Sequence, residues 1–202
     1  MRFVVQLTGL VLALTLLLQV RLNIGWHGSL GAAVWSMSGY FTIWANVLAA
    51  VVCLCRPARP SAHWAQLFTA TTLYAVMVGC VYHLLLAGKH TPQGLGVFTN
   101  VVFHTIVPMT LATLWLGWHP RGRLSIWSPV IWLAFPMTYL GWIMARGALT
   151  GRYPYFFLDP ERLGYGGALA NALALTTVFL MLGLAAVRAD RHLSTVSAAR
   201  RR

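Results

Sequence analysis

Six apolar segments, separated by short polar ones, constrain this chain more than any other feature of its sequence. Crossing the hydrocarbon core of a bilayer takes about 20 apolar residues in an α-helix, and the helix satisfies its own backbone polar groups. The segments cover residues 3–20, 34–55, 64–87, 97–118, 127–145 and 167–187. They predict an all-α fold, a polytopic membrane helical bundle with six transmembrane helices.

The composition supports an integral membrane protein, and the six segments leave no room for a separate soluble domain. Of the 202 residues, 58% are hydrophobic and only 9% are charged, which is far from the balance of a soluble domain. The first segment is longer than a signal-peptide core, so we expect it to be retained as a helix. Residues 1–202 are therefore predicted to form a single six-helix transmembrane domain, with residues 188–202 as a basic cytoplasmic tail.

The net charge of +12 raises the possibility of nucleic-acid binding, but the distribution of the basic residues favours a membrane orientation. With six spans both termini lie on one side, and that side carries ten of the 15 basic residues. Positive residues prefer the cytoplasmic side, so both termini are predicted to be cytoplasmic. The predicted location of the protein is the cell inner or plasma membrane. The expected partner of the basic tail is the bilayer, through anionic headgroups, and no nucleic-acid partner is predicted.

His104 lies about two turns inside the fourth apolar segment. An ionisable side chain at that depth costs several kcal/mol unless it is used or satisfied, so intramembrane histidines are functional candidates. Asn100 and Pro108 are four residues before and after His104 and share its helix face. Pro108 cannot donate a hydrogen bond to the His104 carbonyl, which predicts a kink or a free acceptor there.

Thr42 and Asn46 share a face of the second segment, four residues apart. Two interpretations are open for them. In the first, Thr42 bonds to a carbonyl of its own helix and Asn46 bonds to a neighbouring helix, as polar residues in membranes often do. In the second, both belong to a functional site. The second and fourth segments both run inward, and Thr42 and His104 lie roughly 10 Å below the outer interface, so the two can meet.

Further polar and aromatic residues lie toward the same outer side. Tyr82 and His83 end the third segment, where His83 is either an interfacial residue or a supporting residue of the site. The last outer loop is the most polar, and we expect it to be a lid over an outer-side cavity instead of a plain aromatic anchor. The lid and substrate-binding candidates in and beside this loop are Arg146, Arg152, Tyr153, Tyr155 and Asp159.

Three motifs in register resemble those of one membrane-protein family. FTIWANVL around Thr42, NVVFHTIVP around His104 and LTGRYPYFFLD in the last outer loop are similar to the androgen-induced-gene and androgen-dependent tissue-factor-pathway-regulating proteins and their bacterial relatives. The eukaryotic members are threonine hydrolases that cleave fatty acid esters of hydroxy fatty acids. The resemblance implies that Thr42 is the nucleophile and His104 the base. Asn46 stands where the eukaryotic motif has an acidic residue, so the role of that acid does not carry over.

The resemblance therefore implies an intramembrane esterase that forms an acyl-threonine intermediate, with the site toward the extracytoplasmic side and a lipid ester as substrate. The histidine tautomer could be fixed by Asn100, by a backbone carbonyl or by a loop carboxylate such as Asp159. Asn46, Asn100, Tyr82 or backbone N–H groups could stabilise an oxyanion. Arg146 or Arg152 could bind a substrate carboxylate. The residues alone do not choose among these.

Two other classes of function remain open from the sequence. A small transporter or lipid-binding membrane protein would also place Asn, Thr and His in a polar cavity, although no internal repeat is visible. A haem protein could use His83 and His104 as axial ligands. Because the segments contain no cluster of His with Glu or Asp, we expect no metal site. No cofactor is expected for the hydrolase.

Overall fold

The computed structural model describes residues 2–89 and 91–199, and every regular element in those ranges is helical. In chain order the α-helices are α1 (Arg2–His27), α2 (Leu30–Met37), α3 (Phe41–Leu54), α4 (Ala62–Val81), α5 (Leu95–Val101), α6 (Val107–Trp118), α7 (Ser128–Trp132), α8 (Ala134–Thr150) and α9 (Pro160–Ala199). Two π-helical turns, Tyr82–Leu86 and Val102–Ile106, and a 3₁₀ turn, Phe156–Leu158, complete the list. The predicted all-α class is confirmed.

Several of these helices are long and apolar enough to cross a membrane. Five stretches meet that test directly, and a sixth does so if the bent pair α2 and α3 counts as one span. The five are Arg2–His27, Ala62–Leu86, Leu95–Trp118, Ser128–Thr150 and Pro160–Thr195. A membrane-embedded helical protein is therefore supported, while the number of six spans and the cytoplasmic side of both termini stay predictions.

The second apolar segment is not the continuous helix that the sequence predicts over residues 34–55. α2 ends at Met37, α3 begins at Phe41, and the two helices meet at an angle of 98°. The break contains Ser38 and Gly39, which are weak helix formers. Tyr40 then takes an extended conformation and forms the N-cap of α3. Hydropathy alone does not register such a short interruption, because the flanking residues are apolar.

The third and fourth segments each contain a π-helical turn. Residues 82–86 extend α4, and residues 102–106 join α5 to α6. In the second turn the Val107 N–H bonds to the Val102 carbonyl, five residues back. A π turn relaxes the hydrogen-bond register just before Pro108, which has no N–H to offer. The structure thus has a π turn directly before Pro108, and the kink or free His104 carbonyl that the sequence predicts there stays a prediction.

The last two segments also differ in extent from their predicted bounds. Residues 127–145 fall on α7 and α8, and residues 167–187 lie inside the much longer α9. α9 has a non-helical residue at Gly164 and continues through residues 188–199 of the predicted basic tail. Arg200, Arg201 and Arg202, which were counted in that tail, lie outside the described residues.

The chain divides into two compact units, Ser125–Ala189 and the remainder. The prediction of one domain over residues 1–202 stays a prediction. The larger unit packs through small residues, as membrane helices do. A Cβ on Gly9 of α1 would lie 2.8 Å from the Leu54 nitrogen of α3, and one on Gly79 of α4 would lie 3.0 Å from the His104 carbonyl oxygen. Helix backbones thus approach closely at both places.

The unit Ser125–Ala189 is held together in the same way. A Cβ on Gly183 of α9 would lie 2.7 Å from the Pro129 Cβ of α7. Asn171 of α9 holds the loop between α8 and α9, because its side-chain Nδ2 donates a hydrogen bond to the Phe157 carbonyl at 2.9 Å. This loop is therefore an ordered, packed segment of its own unit.

Candidate active site

Thr42 is the second residue of α3 because of the break that precedes this helix. A threonine in the middle of a helix usually donates its hydroxyl to the carbonyl four residues back. For Thr42 that residue is Ser38, which lies in the break, and the Ser38 carbonyl accepts a hydrogen bond from the Trp44 indole Nε1 at 2.9 Å. The residue that would supply the usual acceptor for Thr42 thus lies outside α3, and its carbonyl already has a partner.

Other threonines of this chain show what Thr42 would do within a helix. Each of them donates to the carbonyl four residues earlier, at 2.8–2.9 Å: Thr8, Thr15, Thr69, Thr72, Thr113, Thr138, Thr150, Thr176 and Thr177. The Thr42 Oγ1 instead lies 3.2 Å from the His104 Nε2. The interpretation that Thr42 bonds only within its own helix is therefore wrong.

The opposite ring nitrogen of His104 decides which tautomer faces Thr42. Nδ1 lies 2.9 Å from the Asn100 backbone carbonyl oxygen. A carbonyl can only accept, so Nδ1 carries the proton and donates it. Nε2 is then unprotonated and presents its lone pair to the Thr42 hydroxyl, which donates. This is the arrangement that a general base requires, and the orienting group is a backbone carbonyl.

Tyr82 covers one face of the imidazole. The two rings are stacked with centroids 4.0 Å apart and planes at 24°. The Tyr82 hydroxyl accepts a hydrogen bond from the Asn100 side-chain Nδ2 at 2.6 Å. Asn100 therefore contacts both aromatic residues, His104 through its backbone and Tyr82 through its side chain. Thr42, His104, Tyr82 and Asn100 are all half-buried, so the site is reachable from the molecular surface.

Asn46 supports Thr42 from one turn further along α3. Its side-chain Nδ2 donates to the Thr42 carbonyl at 2.7 Å. The expectation that Asn46 bonds to a neighbouring helix is therefore wrong for this donor. Asn46 is only 1% exposed, and its Oδ1 is a buried acceptor without a hydrogen-bond partner. A buried acceptor of this kind is costly and marks the neighbourhood of Thr42 as polar.

His83 lies beside this group without entering it. It is exposed, and its Nε2 lies 3.0 Å from the Thr105 Oγ1. Its ring meets Tyr82 edge to face, with centroids 5.1 Å apart. Both nitrogens of His104 have partners, the Thr42 hydroxyl and the Asn100 carbonyl, and axial ligation of a haem by His83 and His104 stays an alternative from the sequence.

The loop residues proposed as a lid or substrate-binding group all belong to the unit Ser125–Ala189. Asp159 precedes α9, and its Oδ1 accepts from the Glu161 N–H at 2.9 Å, which is a helix N-cap contact. Tyr153 packs its ring over Gly147, and Tyr155 is buried. Arg152 is exposed. Arg146 lies on α8. Their roles as lid or as carboxylate ligands stay predictions.

A second buried polar cluster was not found from the sequence. Thr69 accepts a hydrogen bond from the Trp115 indole at 2.9 Å and lies 3.4 Å from the His119 Nε2. The same nitrogen is 3.9 Å from the Asp190 Oδ1, and both side chains are fully buried. A single acidic residue among the arginines of a basic tail is the signal that could have pointed to Asp190.

This cluster closes the C-terminal end of α6. Asp190 Oδ2 accepts from the backbone N–H groups of Arg123 and Leu124 at 3.1 and 3.3 Å. Arg121 donates to the Trp115 and Leu116 carbonyls at the end of the helix. Burial lowers the pKa of His119 to about 3, with the positive charges of Arg121 and Arg123 acting in the same direction. The cluster is therefore a structural closure with a neutral histidine.

The described ranges 2–89 and 91–199 hold no group of three or more His, Cys, Asp or Glu side chains placed to bind a metal ion. Comparison of the chain with protein-family models, with curated proteins and with solved structures gives no match. The functional interpretation consequently depends on the contacts of Thr42 and His104 and on the motif resemblance described above.

Proposed function

We propose that this protein is a membrane-embedded esterase that uses Thr42 as nucleophile and His104 as general base. The observation that carries the proposal is the 3.2 Å contact between Thr42 Oγ1 and His104 Nε2. It is meaningful because the Asn100 carbonyl holds the proton on Nδ1 and leaves Nε2 free to accept. Nucleophile, base and orienting group thus form one continuous hydrogen-bonded series, as in covalent hydrolases.

In the first half-reaction the Thr42 oxygen attacks the ester carbonyl carbon. The hydroxyl proton passes to His104 Nε2, and the carbonyl electron pair moves to oxygen to give a tetrahedral oxyanion. Collapse of this intermediate restores the carbonyl and breaks the bond to the alkoxy group. His104 Nε2 returns the proton to the departing alkoxide, so an alcohol leaves and an acyl-threonine remains.

In the second half-reaction water replaces the alcohol. His104 Nε2 takes one proton from water while the water oxygen attacks the acyl carbon. Collapse of the second tetrahedral intermediate breaks the bond to Thr42 Oγ1, and the same proton returns to the threonine. The products are a carboxylic acid and the restored hydroxyl, so the reaction consumes one water per ester.

The position of Thr42 at the start of α3 supports this chemistry. The first turn of a helix carries backbone N–H groups that have no intrahelical acceptor, and the helix dipole places partial positive charge there. Negative charge that develops on Thr42 Oγ1 or on the substrate oxygen is favoured at this end. The same side chain in the middle of α3 would have neither benefit.

A lipid ester is the proposed substrate class. The helix that carries His104 exposes apolar side chains near it, including Phe98, Val101 and Ile106. Acyl chains can pack against such a surface, whereas a water-soluble ester gains nothing from it. The motif resemblance favours fatty acid esters of hydroxy fatty acids. In the predicted topology the excess of basic residues on the side of both termini favours a site facing the extracytoplasmic side of the plasma membrane.

Hydrolysis of a long-chain ester by the purified protein in lipid vesicles tests the proposal. Thr42→Val keeps the side-chain shape and removes the hydroxyl, and His104→Gln removes the base. Each is expected to lower kcat by at least about a hundredfold, in line with the loss of a nucleophile or a general base. Thr113→Val is the matched control, because this exposed threonine of α6 bonds only to the Met109 carbonyl.

Equal rates in wild type, Thr42→Val and Thr113→Val would contradict the proposal. In that case the polar group around Thr42 would fit a small transporter or lipid-binding protein better. Flux or lipid binding that is retained in Thr42→Val would then favour the alternative.

A further inference from the structure

Tyr82 has a chemical group beside His104 that the proposed reaction has not yet used, a phenolic hydrogen. Its hydroxyl oxygen accepts from Asn100 Nδ2 at 2.6 Å. Accepting occupies a lone pair of the oxygen and leaves the O–H free to donate. Within the described ranges, residues 2–89 and 91–199, the Tyr82 hydroxyl has no second hydrogen-bond partner. The phenolic O–H is therefore a hydrogen-bond donor that the protein itself leaves available beside His104.

The other side-chain candidates each have a hydrogen-bond partner already. Asn46 Nδ2 donates to the Thr42 carbonyl at 2.7 Å, and the free atom of that amide is an acceptor. The Asn100 amide donates to Tyr82 itself. His83 is exposed and pairs with Thr105. An oxyanion needs donors. Asn46 and Asn100 each keep a second amide N–H, while Tyr82 is the donor whose ring lies directly against that of His104.

The fold also places the phenol against the base. Tyr82 is the first residue of the π-helical turn Tyr82–Leu86, and His104 is the middle residue of the turn Val102–Ile106. The rings stack with centroids 4.0 Å apart. Thr42, His104 and Tyr82 thus form a contiguous row of nucleophile, base and phenol. Tyr82 is half-buried.

We infer that Tyr82 is a further catalytic residue, whose O–H donates a hydrogen bond to the oxyanion formed when Thr42 attacks the ester. This inference depends on the proposed esterase function. The phenolic proton stays on Tyr82 throughout, so the proton transfers between Thr42, His104 and the leaving group are unchanged. Asn100 is a positioning residue. Its amide N–H occupies a lone pair of the phenol, orients the O–H and makes it a stronger donor.

Tyr82→Phe is the direct test, because it removes the hydroxyl and keeps the ring that stacks on His104. In the vesicle assay kcat is expected to fall roughly 10²–10³-fold, as for the loss of one oxyanion donor. KM should stay within about threefold of wild type, because the Tyr82 hydroxyl binds the ground-state carbonyl less strongly than the oxyanion. Tyr165→Phe is the control, since Tyr165 is 78% exposed and lies in the unit Ser125–Ala189. It should behave as wild type.

Two substitutions of Asn100 test how the phenol is oriented. Both leave the backbone carbonyl that holds His104 Nδ1 in place. Asn100→Leu removes the donor to Tyr82 and should lower kcat about tenfold through a weaker, less oriented O–H. Asn100→Asp replaces the donor with an acceptor that draws the Tyr82 proton away from the substrate, so its kcat should be lower than that of Asn100→Leu. If Asn100→Asp is the more active of the two, the orientation inferred for Tyr82 is wrong.

The outcomes separate the two claims. A loss of kcat in Tyr82→Phe with an unchanged thermal unfolding temperature supports the oxyanion role. Hydrolysis that depends on Thr42 but is undiminished in Tyr82→Phe overturns the assignment of Tyr82 and leaves the esterase in place. Hydrolysis that does not depend on Thr42 overturns the esterase, and the role of Tyr82 falls with it.

Discussion

Gly79→Ala probes the close approach of α4 and α6 on which the site depends. The added Cβ would lie 3.0 Å from the His104 carbonyl oxygen and 3.2 Å from both Cβ and Cγ of Pro108. Favourable carbon contacts are about 3.5–4.0 Å, so α4 and its neighbour must separate by roughly 0.5 Å. None of the atoms that must give way is at the end of a flexible side chain.

The displacement has two expected consequences. Overpacking of this kind costs about 1–3 kcal/mol of unfolding free energy. Tyr82 follows Gly79 by three residues and shares its side of α4, so the stack of Tyr82 on His104 should loosen. Because a misplacement of about 1 Å can cost a hundredfold in rate, we expect Thr42-dependent hydrolysis to fall roughly tenfold.

Thermal unfolding and the vesicle hydrolysis assay measure both effects on the same samples. Gly117→Ala is the matched control, because this glycine of α6 has nothing within 4 Å of its added Cβ. It should leave the rate unchanged and the unfolding temperature equal or slightly raised, since alanine is the better helix former. If Gly79→Ala matches Gly117→Ala in both measurements, the inferred contact between α4 and the His104 region is wrong.

Two further predictions concern the cluster at the end of α6. Since the pKa of folded His119 is lowered from 6.5 to about 3, the unfolded chain binds a proton there between these pH values and the folded chain does not. The unfolding free energy should therefore not depend on His119 above about pH 7.5, and it should fall by up to about 1.4 kcal/mol per pH unit as the pH drops below 6.5. His119→Gln should flatten that slope in thermal unfolding. An identical slope in both proteins would refute the assignment. Asp190→Ala leaves the Arg123 and Leu124 N–H groups without their acceptor and should lower the unfolding free energy by about 2 kcal/mol or more. Asp190→Asn keeps an oxygen acceptor and should lower it by about half as much. Equal unfolding temperatures for the two variants would count against the capping role.

The sequence was sufficient for the helical class. For Thr42 and His104 the depth argument showed only that the two residues can meet, and their pairing as nucleophile and base came from the motif resemblance. Apolar segments of membrane-spanning length can be recognised from the average hydropathy of the sequence. The depth argument required only that the second and fourth segments run in the same direction.

The break between α2 and α3 could not be predicted from the same reasoning. Its residues, Ser38, Gly39 and Tyr40, interrupt the helix without lowering the average hydropathy of the segment. This break places Thr42 in the first turn of α3, where its Oγ1 lies 3.2 Å from the His104 Nε2. The sequence shows the residue type, while its hydrogen-bonding freedom depends on local backbone geometry.

The roles of backbone groups could not be predicted from the sequence either. The Asn100 carbonyl orients His104, and the sequence could name it only as one of several options because every residue has a carbonyl. The closure of α6 by Asp190 was missed for a different reason. Asp190 and His119 are far apart in the chain, and Asp190 acts through two backbone N–H groups that no side-chain pattern records.

Labelling with a lipophilic fluorophosphonate tests the central claim most directly. The detergent-purified wild-type protein, Thr42→Val and His104→Gln would be treated side by side, and any adduct located by mass spectrometry. We predict a single phosphonyl adduct on Thr42 Oγ1 in the wild type, none in Thr42→Val, and strongly reduced labelling in His104→Gln. A folded wild-type sample that is unlabelled, or that is labelled equally in all three proteins, would contradict an activated threonine in this membrane protein.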